Sequence, residues 1–292
     1  MNVLVTGGSG FVGSSVAAYL ANAGYKVSIL VRSNSNLWRL GEVESKIRIG
    51  RCDGKSEVHD FIGKTTPDIV IHTACCFGRS NEKLVDIYDS NISFGLIILE
   101  SILTNCSEVT FINAGTALPP DFGLYSLTKH QFSQLGRILA SKYKDKLRFV
   151  NLRLHNIYGE RDDASKFATF ILRSCANNCE SLDLTEGFQE RDFIHISDVV
   201  SAFNKIMENL SGLDHFSEFE IGTGTTTSVR HFVETAHRIT KSKTLLNFGA
   251  LETQYVELVK LQAETSLIRS FGWTPKYDIE SGLARMFLLE RL

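Results

Sequence analysis

The chain has 292 residues, of which 43% are hydrophobic, so it is long enough for one large domain or for a domain with a smaller lobe. Its formal net charge of -2 and pI of about 6.5 exclude a general attraction to nucleic acid or to an anionic membrane. No apolar run reaches membrane-spanning length and the N-terminus has no charged leader, so we expect a soluble, cytoplasmic protein without a membrane partner.

The first 32 residues have the pattern of a dinucleotide-binding unit. A short apolar strand at residues 3–5 is followed by glycines at 7, 10 and 13 and by an amphipathic helix. The first glycine permits a tight turn, the second lets a pyrophosphate approach the helix N-terminus, and the third allows the helix to pack closely on the strand. The residues expected to hold the cofactor here are Gly7, Gly10, Phe11, Val12 and Gly13.

The residue that ends the second predicted strand, at residues 26–31, selects the cofactor. An acidic side chain at this point would bind the ribose 2′-hydroxyl of NAD, whereas this chain has Arg32 followed by Ser33. A guanidinium pairs well with a 2′-phosphate, so the sequence predicts NADPH; a solvated strand-end arginine is the alternative. Asp53 ends the third predicted strand, where we expect it to meet the adenine amino group.

A fourth predicted strand, at residues 68–73, brings Thr73 and Ala74 beside the expected cofactor. Strands that alternate with helices at this spacing predict an α/β fold, a Rossmann-like doubly wound parallel sheet. We expect residues 1–154, with about 191–222, to form the NADP-binding domain. Residues at about 155–190 and 223–292 would form a smaller C-terminal substrate-binding lobe.

The stretch from Thr116 to Lys129 has the residues for proton transfer. It follows an apolar predicted strand and enters a predicted helix at residues 124–143, on which Tyr125 and Lys129 share a face. A free phenol has a pKa near ~10, which a nearby ammonium lowers, so Tyr125 can protonate a carbonyl oxygen that Thr116 also binds. A Tyr-x-x-x-Lys pair also occurs by chance, so this interpretation depends on the surrounding nucleotide fold.

The second half of the chain offers candidate substrate contacts. Asn156 follows a predicted strand at the carboxyl edge of the sheet, where ligands of such sheets bind. Gln189 and Arg191 come just before an apolar run, and the Arg191 guanidinium is suited to clamp a sugar-nucleotide diphosphate. A salt bridge from Arg191 to Asp192 or Asp198 is the alternative.

Other polar residues are expected to be structural. His195 lies inside the apolar run, which favours a packed core histidine. The six cysteines have no paired zinc or redox spacing, so we expect small buried side chains and no metal site.

Several segments together resemble the extended short-chain dehydrogenase/reductases, the NAD-dependent epimerase/dehydratase family. In chain order they are Thr6-Gly7-Gly8-Ser9-Gly10-Phe11-Val12-Gly13, His72-Thr73-Ala74, Asn91, Thr116, Tyr125-x-x-x-Lys129, Leu152-Arg153-Leu154-His155-Asn156-Ile157-Tyr158-Gly159, residues 191–200, residues 221–224 and residues 271–276. The resemblance covers essentially the whole chain. It implies an enzyme acting on nucleotide sugars, with Asn91 and Lys129 at the cofactor and Tyr125 as the acid. His155 stands where that family usually has an aromatic residue.

Within the family, residues 77–82 and 112–120 resemble the sugar-nucleotide 4-ketoreductases of the CDP-paratose and CDP-abequose synthase type. This resemblance implies an NADPH-dependent reductase of dideoxysugar (O-antigen) biosynthesis, with CDP-4-keto-3,6-dideoxyglucose reduced to CDP-paratose, and Arg79 lining the sugar pocket. A solvated arginine in a loop, with no sugar contact, is an equally good interpretation of Arg79. The resemblance also implies a homodimer formed through two helices, near residues 81–103 and 124–143.

Other substrates and activities are possible on the same fold, and single residues favour or disfavour each of them. A dTDP- or GDP-linked 4-keto-6-deoxysugar remains an alternative substrate, and a 4-epimerase remains an alternative activity that Arg32 disfavours. A 4,6-dehydratase has an Asp-Glu pair after the active-site Thr, whereas Ala117 and Leu118 follow Thr116. A non-catalytic NADP-binding protein is disfavoured because Tyr125 and Lys129 are both present.

Overall fold

The computed structural model describes residues 1–78, 81–252 and 259–290. The chain forms two compact units, each made from two stretches of sequence. The first unit is Met1–Arg153 with Phe203–Phe219, and the second is Leu154–Ala202 with Glu220–Leu292.

The stretch that returns to the first unit is shorter than the sequence suggests. Residues 191–222 are expected there, whereas the compact unit takes only Phe203–Phe219. Strand pairing accounts for residues 191–195, because Glu190–Arg191 and Phe193–His195 pair with other strands of the second unit.

The strands in chain order are β1 Asn2–Thr6, β2 Lys26–Val31, β3 Arg48–Arg51, β4 Ile69–His72, β5 Val109–Thr116, β6 Leu147–Leu154, β7 Asn156–Tyr158, β8 Ser181–Leu184, β9 Glu190–Arg191, β10 Phe193–His195, β11 Phe216–Ile221, β12 Thr227–Ser228, β13 Leu245–Phe248 and β14 Lys260–Leu261. The α-helices are α1 Phe11–Asn22, α2 Lys55–Thr65, α3 Leu84–Tyr88, α4 Phe94–Asn105, α5 Leu124–Lys142, α6 Phe167–Ala176, α7 Ile196–Glu208, α8 Val229–Ile239, α9 Ser266–Ser270 and α10 Ile279–Glu290. A π-helical turn, Asp89–Ser93, joins α3 to α4.

The central sheet has seven strands in the order β11-β6-β5-β4-β1-β2-β3. β1 pairs in parallel with both β2 and β4, and parallel pairing continues from β2 to β3 and from β4 to β5. The strand order therefore reverses between β1 and β4, and ligands of such sheets bind outside the carboxyl ends of the strands at that point. The prediction of a Rossmann-like, doubly wound parallel sheet is confirmed.

One face of the sheet fixes the position of α5. Val70 and Phe111 are partners in the parallel register of β4 and β5, and both are fully buried. The Phe111 ring stacks on the Phe149 ring of β6, with centroids 5.2 Å apart. α5 lies close over these rings at Gly136, where a Cβ would be 2.3 Å from the Phe149 ring. A side chain at Gly136 would therefore push the helix away from the sheet.

The second unit has its own apolar core and two buried carboxylates. Its core side chains are Tyr158, Ala168, Ile171, Leu172, Cys175, Leu182, Phe193, Phe232, Val233, Ala236, Leu283 and Met286. Asp192 accepts the backbone N–H groups of Thr223, Gly224 and Ala263, and Asp198 accepts those of Lys276 and Tyr277. These bonds hold the two carboxylates against the backbone of the second unit. His195 is fully buried, which confirms the prediction of a core histidine.

No helix in the described ranges is long and apolar enough to cross a membrane.

Candidate active site

The glycine loop between β1 and α1 leaves backbone surface open to a ligand. Gly7 has φ +69°, and a Cβ there would lie 2.7 Å from the Ala74 nitrogen. A Cβ on Gly13 would lie 2.3 Å from the Gly7 oxygen and 2.5 Å from the Thr73 Oγ1. A Cβ on Gly10, the N-cap of α1, would meet only the Gly7 oxygen, at 3.2 Å, among the described atoms beyond its own chain neighbours and helix backbone.

This loop has the shape that a dinucleotide pyrophosphate needs. The first N–H groups of an α-helix have no partner within the helix, so the first turn of α1 presents backbone donors to an anion. The predicted cofactor residues Gly7, Gly10, Gly13, Thr73 and Ala74 lie together at the carboxyl ends of β1 and β4. Their arrangement fits a nicotinamide dinucleotide.

The predicted adenosine end is a braced turn after β2. Arg32 is exposed, and the Asp53 carboxylate accepts the Ser33 N–H at 3.0 Å and also the Ser33 hydroxyl. These bonds from Ser33, together with the nearby Arg32 charge, hold the pKa of Asp53 below its usual value. Arg51 donates to the carbonyls of Ser33 and Ser35, at 2.7 and 3.3 Å. The turn that presents Arg32 is therefore held from the neighbouring strand.

Tyr125 and Lys129 lie one turn apart near the start of α5. Lys129 is only 2% exposed, and burial lowers the pKa of its ammonium, with an opposing effect from Cys75. His72 lies beside Lys129 and is fully buried, and burial together with the Lys129 charge lowers its pKa to about 3. Its Nδ1 lies 2.7 Å from the Thr6 hydroxyl. A neutral His72 adds no second positive charge next to Lys129.

Thr116 is the last residue of β5, as predicted, and is nearly buried. Its hydroxyl oxygen accepts the backbone N–H of Leu118 at 3.2 Å. The hydroxyl proton therefore remains to be donated to a substrate oxygen. The Leu118 carbonyl in turn lies 2.8 Å from the Nε2 of His130 on α5.

An aromatic ring lies directly against the candidate acid. The Phe77 ring stacks on the Tyr125 ring, with centroids 4.8 Å apart and planes inclined by 30°. Phe77 belongs to the loop after β4, where the Asn91 amide bonds both the N–H and the carbonyl of Cys76, at 2.7 and 3.0 Å. Asn91 also donates to the Thr128 hydroxyl on α5, at 3.0 Å. One buried amide thus joins the Phe77 loop to the Tyr125 helix.

Asn91 lies in the π-helical turn between α3 and α4. Such turns are frequent at functional positions because they reposition a side chain within a helix. The family resemblance predicts a direct cofactor contact for Asn91, which stays a prediction. In the structure its amide also bonds Cys76 and Thr128, so we expect Asn91 to hold these two segments at the cofactor site.

Three candidate substrate residues, Asn156, Gln189 and Arg191, lie in the second unit. Asn156 begins β7, while Gln189 precedes β9 and Arg191 ends it. All three are half-buried, and the Arg191 Nη1 donates to the Glu190 carbonyl at 2.9 Å. The predicted contact Arg79 lies outside the described residues.

His155, which stands where the family usually has an aromatic residue, makes polar contacts. Its side chain is 1% exposed, and its Nε2 lies 3.2 Å from the Glu220 Oε2. The same oxygen accepts the Glu264 N–H at 2.8 Å. The place of a family aromatic residue is thus taken by a buried histidine–carboxylate pair.

Sequence reasoning did not single out Phe77, Thr128 or His130 as site residues. The contacts of these three residues join segments that meet only in the folded chain, so the periodicity of the sequence did not predict them. The one local clue was that Thr128 and His130 flank Lys129.

Comparison with known proteins places the chain in a family. Residues 3–222 match the NAD dependent epimerase/dehydratase family. The chain belongs to this family. An epimerase/dehydratase-family relative, the CDP-abequose synthase of Salmonella muenchen, is 28% identical over 298 residues, with 99% of this chain and 97% of the relative covered. The chain is thus an oxidoreductase-type enzyme that depends on a nicotinamide dinucleotide and modifies sugar nucleotides.

Solved epimerase structures share the fold of this family member. The UDP-glucose 4-epimerase of Thermotoga maritima with UDP-glucose has a TM-score of 0.87 at 23% identity, covering 100% of this chain and 99% of that one. The UDP-glucose 4-epimerase of Thermus thermophilus in complex with NAD has a TM-score of 0.86 at 21% identity, with the same coverage. At this identity, the likeness concerns the fold.

Proposed function

We propose that the protein is an NADPH-dependent 4-ketoreductase of a nucleotide-linked 4-keto-deoxyhexose. One observation carries this proposal: Tyr125 and the buried Lys129 share a helix face at the start of α5. Thr116 is the last residue of the preceding strand, and its hydroxyl can donate a proton because its oxygen accepts the Leu118 N–H. These donors lie in the unit that has the dinucleotide loop.

The residues supply the proton and the oxygen contacts that carbonyl reduction needs. Bound NADPH supplies the hydride. Thr116 donates a hydrogen bond to the ketone oxygen and so stabilises the negative charge that develops there. Tyr125 then gives its phenolic proton to that oxygen, leaving a hydroxyl at C4. The Lys129 ammonium favours the phenolate that remains, and holds the nicotinamide ribose.

Two local features favour a reductase over the related activities. Arg32 is exposed on a turn that Arg51 holds, where it can pair with the 2′-phosphate of NADPH, whereas a 4-epimerase would keep NAD bound. Ala117 and Leu118 follow Thr116, so this segment lacks the acidic pair needed to eliminate water. We therefore rank the 4-epimerase second and the 4,6-dehydratase lower.

For the sugar, we propose a CDP-linked 4-keto-3,6-dideoxyglucose that is reduced to CDP-paratose in the cytoplasm. Leu118, Pro119 and Phe122 offer apolar surface between Thr116 and Tyr125, and an unpaired hydroxyl buried there would cost about 1–3 kcal/mol. A sugar without its C3 hydroxyl avoids this cost. The similarity to a CDP-abequose synthase supports a CDP-linked dideoxysugar.

We propose Arg191, Asn156 and Gln189 as contacts to the nucleotide sugar. Arg191 is suited to the diphosphate, because a guanidinium makes paired, charge-assisted bonds to phosphate oxygens. Asn156 and Gln189 carry amide groups that can bond the sugar or the phosphates. We propose Arg79 as a further sugar contact on the family resemblance alone.

The test is a panel of 4-keto sugar nucleotides with CDP, dTDP, GDP and UDP, each incubated with NADPH and the purified protein. We expect oxidation of NADPH with the CDP-linked 3,6-dideoxy ketosugar, and a C4 hydroxyl in the product by mass and proton-coupling analysis. The proton couplings also decide between paratose and its C4 epimer. Equal or higher efficiency with a CDP-linked 6-deoxy ketosugar that keeps its 3-hydroxyl would contradict the dideoxy substrate. Interconversion of C4 epimers without net NADPH oxidation would favour the epimerase.

A further inference from the structure

The direction of the Thr116 hydroxyl depends on a backbone contact. A hydroxyl has one proton to donate and two lone pairs to accept with. One lone pair of the Thr116 oxygen accepts the Leu118 N–H, at 3.2 Å. Because the oxygen is held on that side, its proton is restricted to two directions, and both depend on where Leu118 lies.

Leu118 is itself held by a side chain of α5. Its carbonyl oxygen lies 2.8 Å from the Nε2 of His130. A carbonyl oxygen only accepts, so Nε2 carries the proton, and this holds for the neutral Nε2–H tautomer and for the imidazolium alike. The bond ties the segment that follows β5 to the middle of the next helix.

The segment has little freedom of its own. Pro119 restricts the preceding Leu118 to extended backbone conformations, and Ala117 is 3% exposed. The remaining freedom is a movement of residues 117–119 relative to α5, and the bond from His130 opposes that movement.

His130 reaches Leu118 from the helix that carries the acid. Successive residues of an α-helix are turned by about 100°, so His130 points about 100° away from Lys129 and about 140° away from Tyr125. The helix is itself fixed by its close approach to Phe149 at Gly136. One rigid element therefore presents Tyr125 and Lys129 and, on another face, the donor that locates Leu118.

We propose that His130 is a positioning residue that aims the Thr116 hydroxyl, through Leu118, at the ketone oxygen that Tyr125 protonates. This inference rests on the proposed reduction. His130 touches neither substrate nor cofactor in this role; it sets the distance between two donors that must reach the same oxygen. Misplacing such a donor by about 1 Å is enough to slow a reaction by up to about 10²-fold.

A double-mutant cycle tests the path from His130 to Thr116. We expect His130→Leu to lower kcat about tenfold, with the Kd of NADPH unchanged, and His130→Gln, which keeps an N–H donor, to restore most of the rate. In the Thr116→Val background, His130→Leu should cause no further fall, because the hydroxyl it aims is gone. His231→Leu, an exposed histidine of α8, is the matched control and should leave kcat unchanged. A second tenfold fall in the Thr116→Val background would overturn the proposal.

A second measurement tests the hydrogen bond between His130 and Leu118 without any enzymatic turnover. In protein labelled with 15N-histidine, the His130 Nε2–H, assigned by its loss in His130→Leu, should exchange slowly with water. A rapidly exchanging Nε2–H would overturn the positioning role whatever the enzyme reduces. A wild-type protein that reduces no 4-keto sugar nucleotide but keeps a protected Nε2–H contradicts the proposed function and supports the contact on which this inference rests.

Discussion

At the scale of single residues, the phenol of Tyr125 is the group on which the proposed chemistry depends. Tyr125→Phe keeps the ring and its stack with Phe77 but removes the proton. We expect turnover to fall by about 10²–10⁴-fold with NADPH binding intact, the usual scale for losing a general acid. Steady-state kinetics and NADPH titration measure the two effects. Tyr143→Phe, at the other end of α5, is the control, and near-wild-type turnover of Tyr125→Phe would refute the role.

Arg32 is the residue that should decide between NADPH and NADH. Its pairing with a 2′-phosphate is a charge-assisted contact worth about 1.5–3 kcal/mol, or roughly ten- to a hundred-fold in affinity. We expect Arg32→Ala to lose most of the preference for NADPH while leaving NADH binding nearly unchanged, as kcat/KM for each cofactor will show. Arg48→Ala, which removes an exposed arginine at the start of β3, should keep the wild-type ratio. Equal use of both cofactors by the wild type would contradict the assignment.

At the scale of elements, Asn91 connects the loop after β4 with α5. Asn91→Ala leaves the Cys76 N–H and carbonyl without their partner, at about 1–3 kcal/mol for each buried group that stays unsatisfied. We expect a lower free energy of unfolding in urea and a lower kcat, because Phe77 loses its fixed place against Tyr125. Asn105→Ala, at the end of the same helical stretch, should destabilise less and leave kcat unchanged. A destabilised Asn91→Ala that keeps full kcat would show that the loop does not position Tyr125.

At the scale of the whole molecule, the helices α3 and α5 expose apolar side chains that suit a second copy of the chain. Leu84, Val85, Tyr88 and Ile138 are 71%, 64%, 51% and 63% exposed. A groove of about 320 Å³ on these helices and the π-helical turn is lined by Tyr88, Ile92, Gln131, Gln134, Leu135 and Ile138. Exposed apolar patches of this kind mark interaction sites, so we propose a homodimer through these helices.

Light scattering tests the dimer. The wild type should have twice the chain mass at micromolar concentration, and Ile138→Asp should give a monomer, because a carboxylate cannot be buried unpaired in an apolar interface. Leu289→Asp, on an exposed position of α10, is the matched control and should stay dimeric. A monomeric wild type would count against the proposal.

The stability of the whole protein should depend on pH through His72. Burial and the Lys129 charge lower the pKa of His72 from its ordinary value of 6.5 to about 3, so between these pH values the unfolded chain binds a proton that the folded protein does not. The stabilisation is complete above pH 6.5 and is lost as the pH falls towards 3, by at most about 1.4 kcal/mol per pH unit. Urea unfolding between pH 7 and 4 should show this loss in the wild type and a smaller one in His72→Phe. The same slope in both proteins would contradict a neutral buried His72.

The sequence by itself determined the order of elements and the carriers of the proposed chemistry. Alternating apolar runs and glycine spacing predicted the parallel sheet, because strand burial and the turn at Gly7 are local requirements of the chain. The same local logic put Thr116 at a strand end and Tyr125 and Lys129 on one helix face. These features depend on the spacing of residues that are close together in the chain, and this spacing can be read from the sequence.

Only the tertiary structure decided which distant residues support that chemistry. The stack of Phe77 on Tyr125, the Asn91 bonds to Cys76 and the bond from His130 to Leu118 all join segments that are separated along the chain. The bounds of the two units also depended on strand pairing, which joins residues 191–195 to the second unit. Side-chain hydrogen bonds and strand pairs between distant segments form only when the elements pack together. No local pattern in the sequence therefore predicts them.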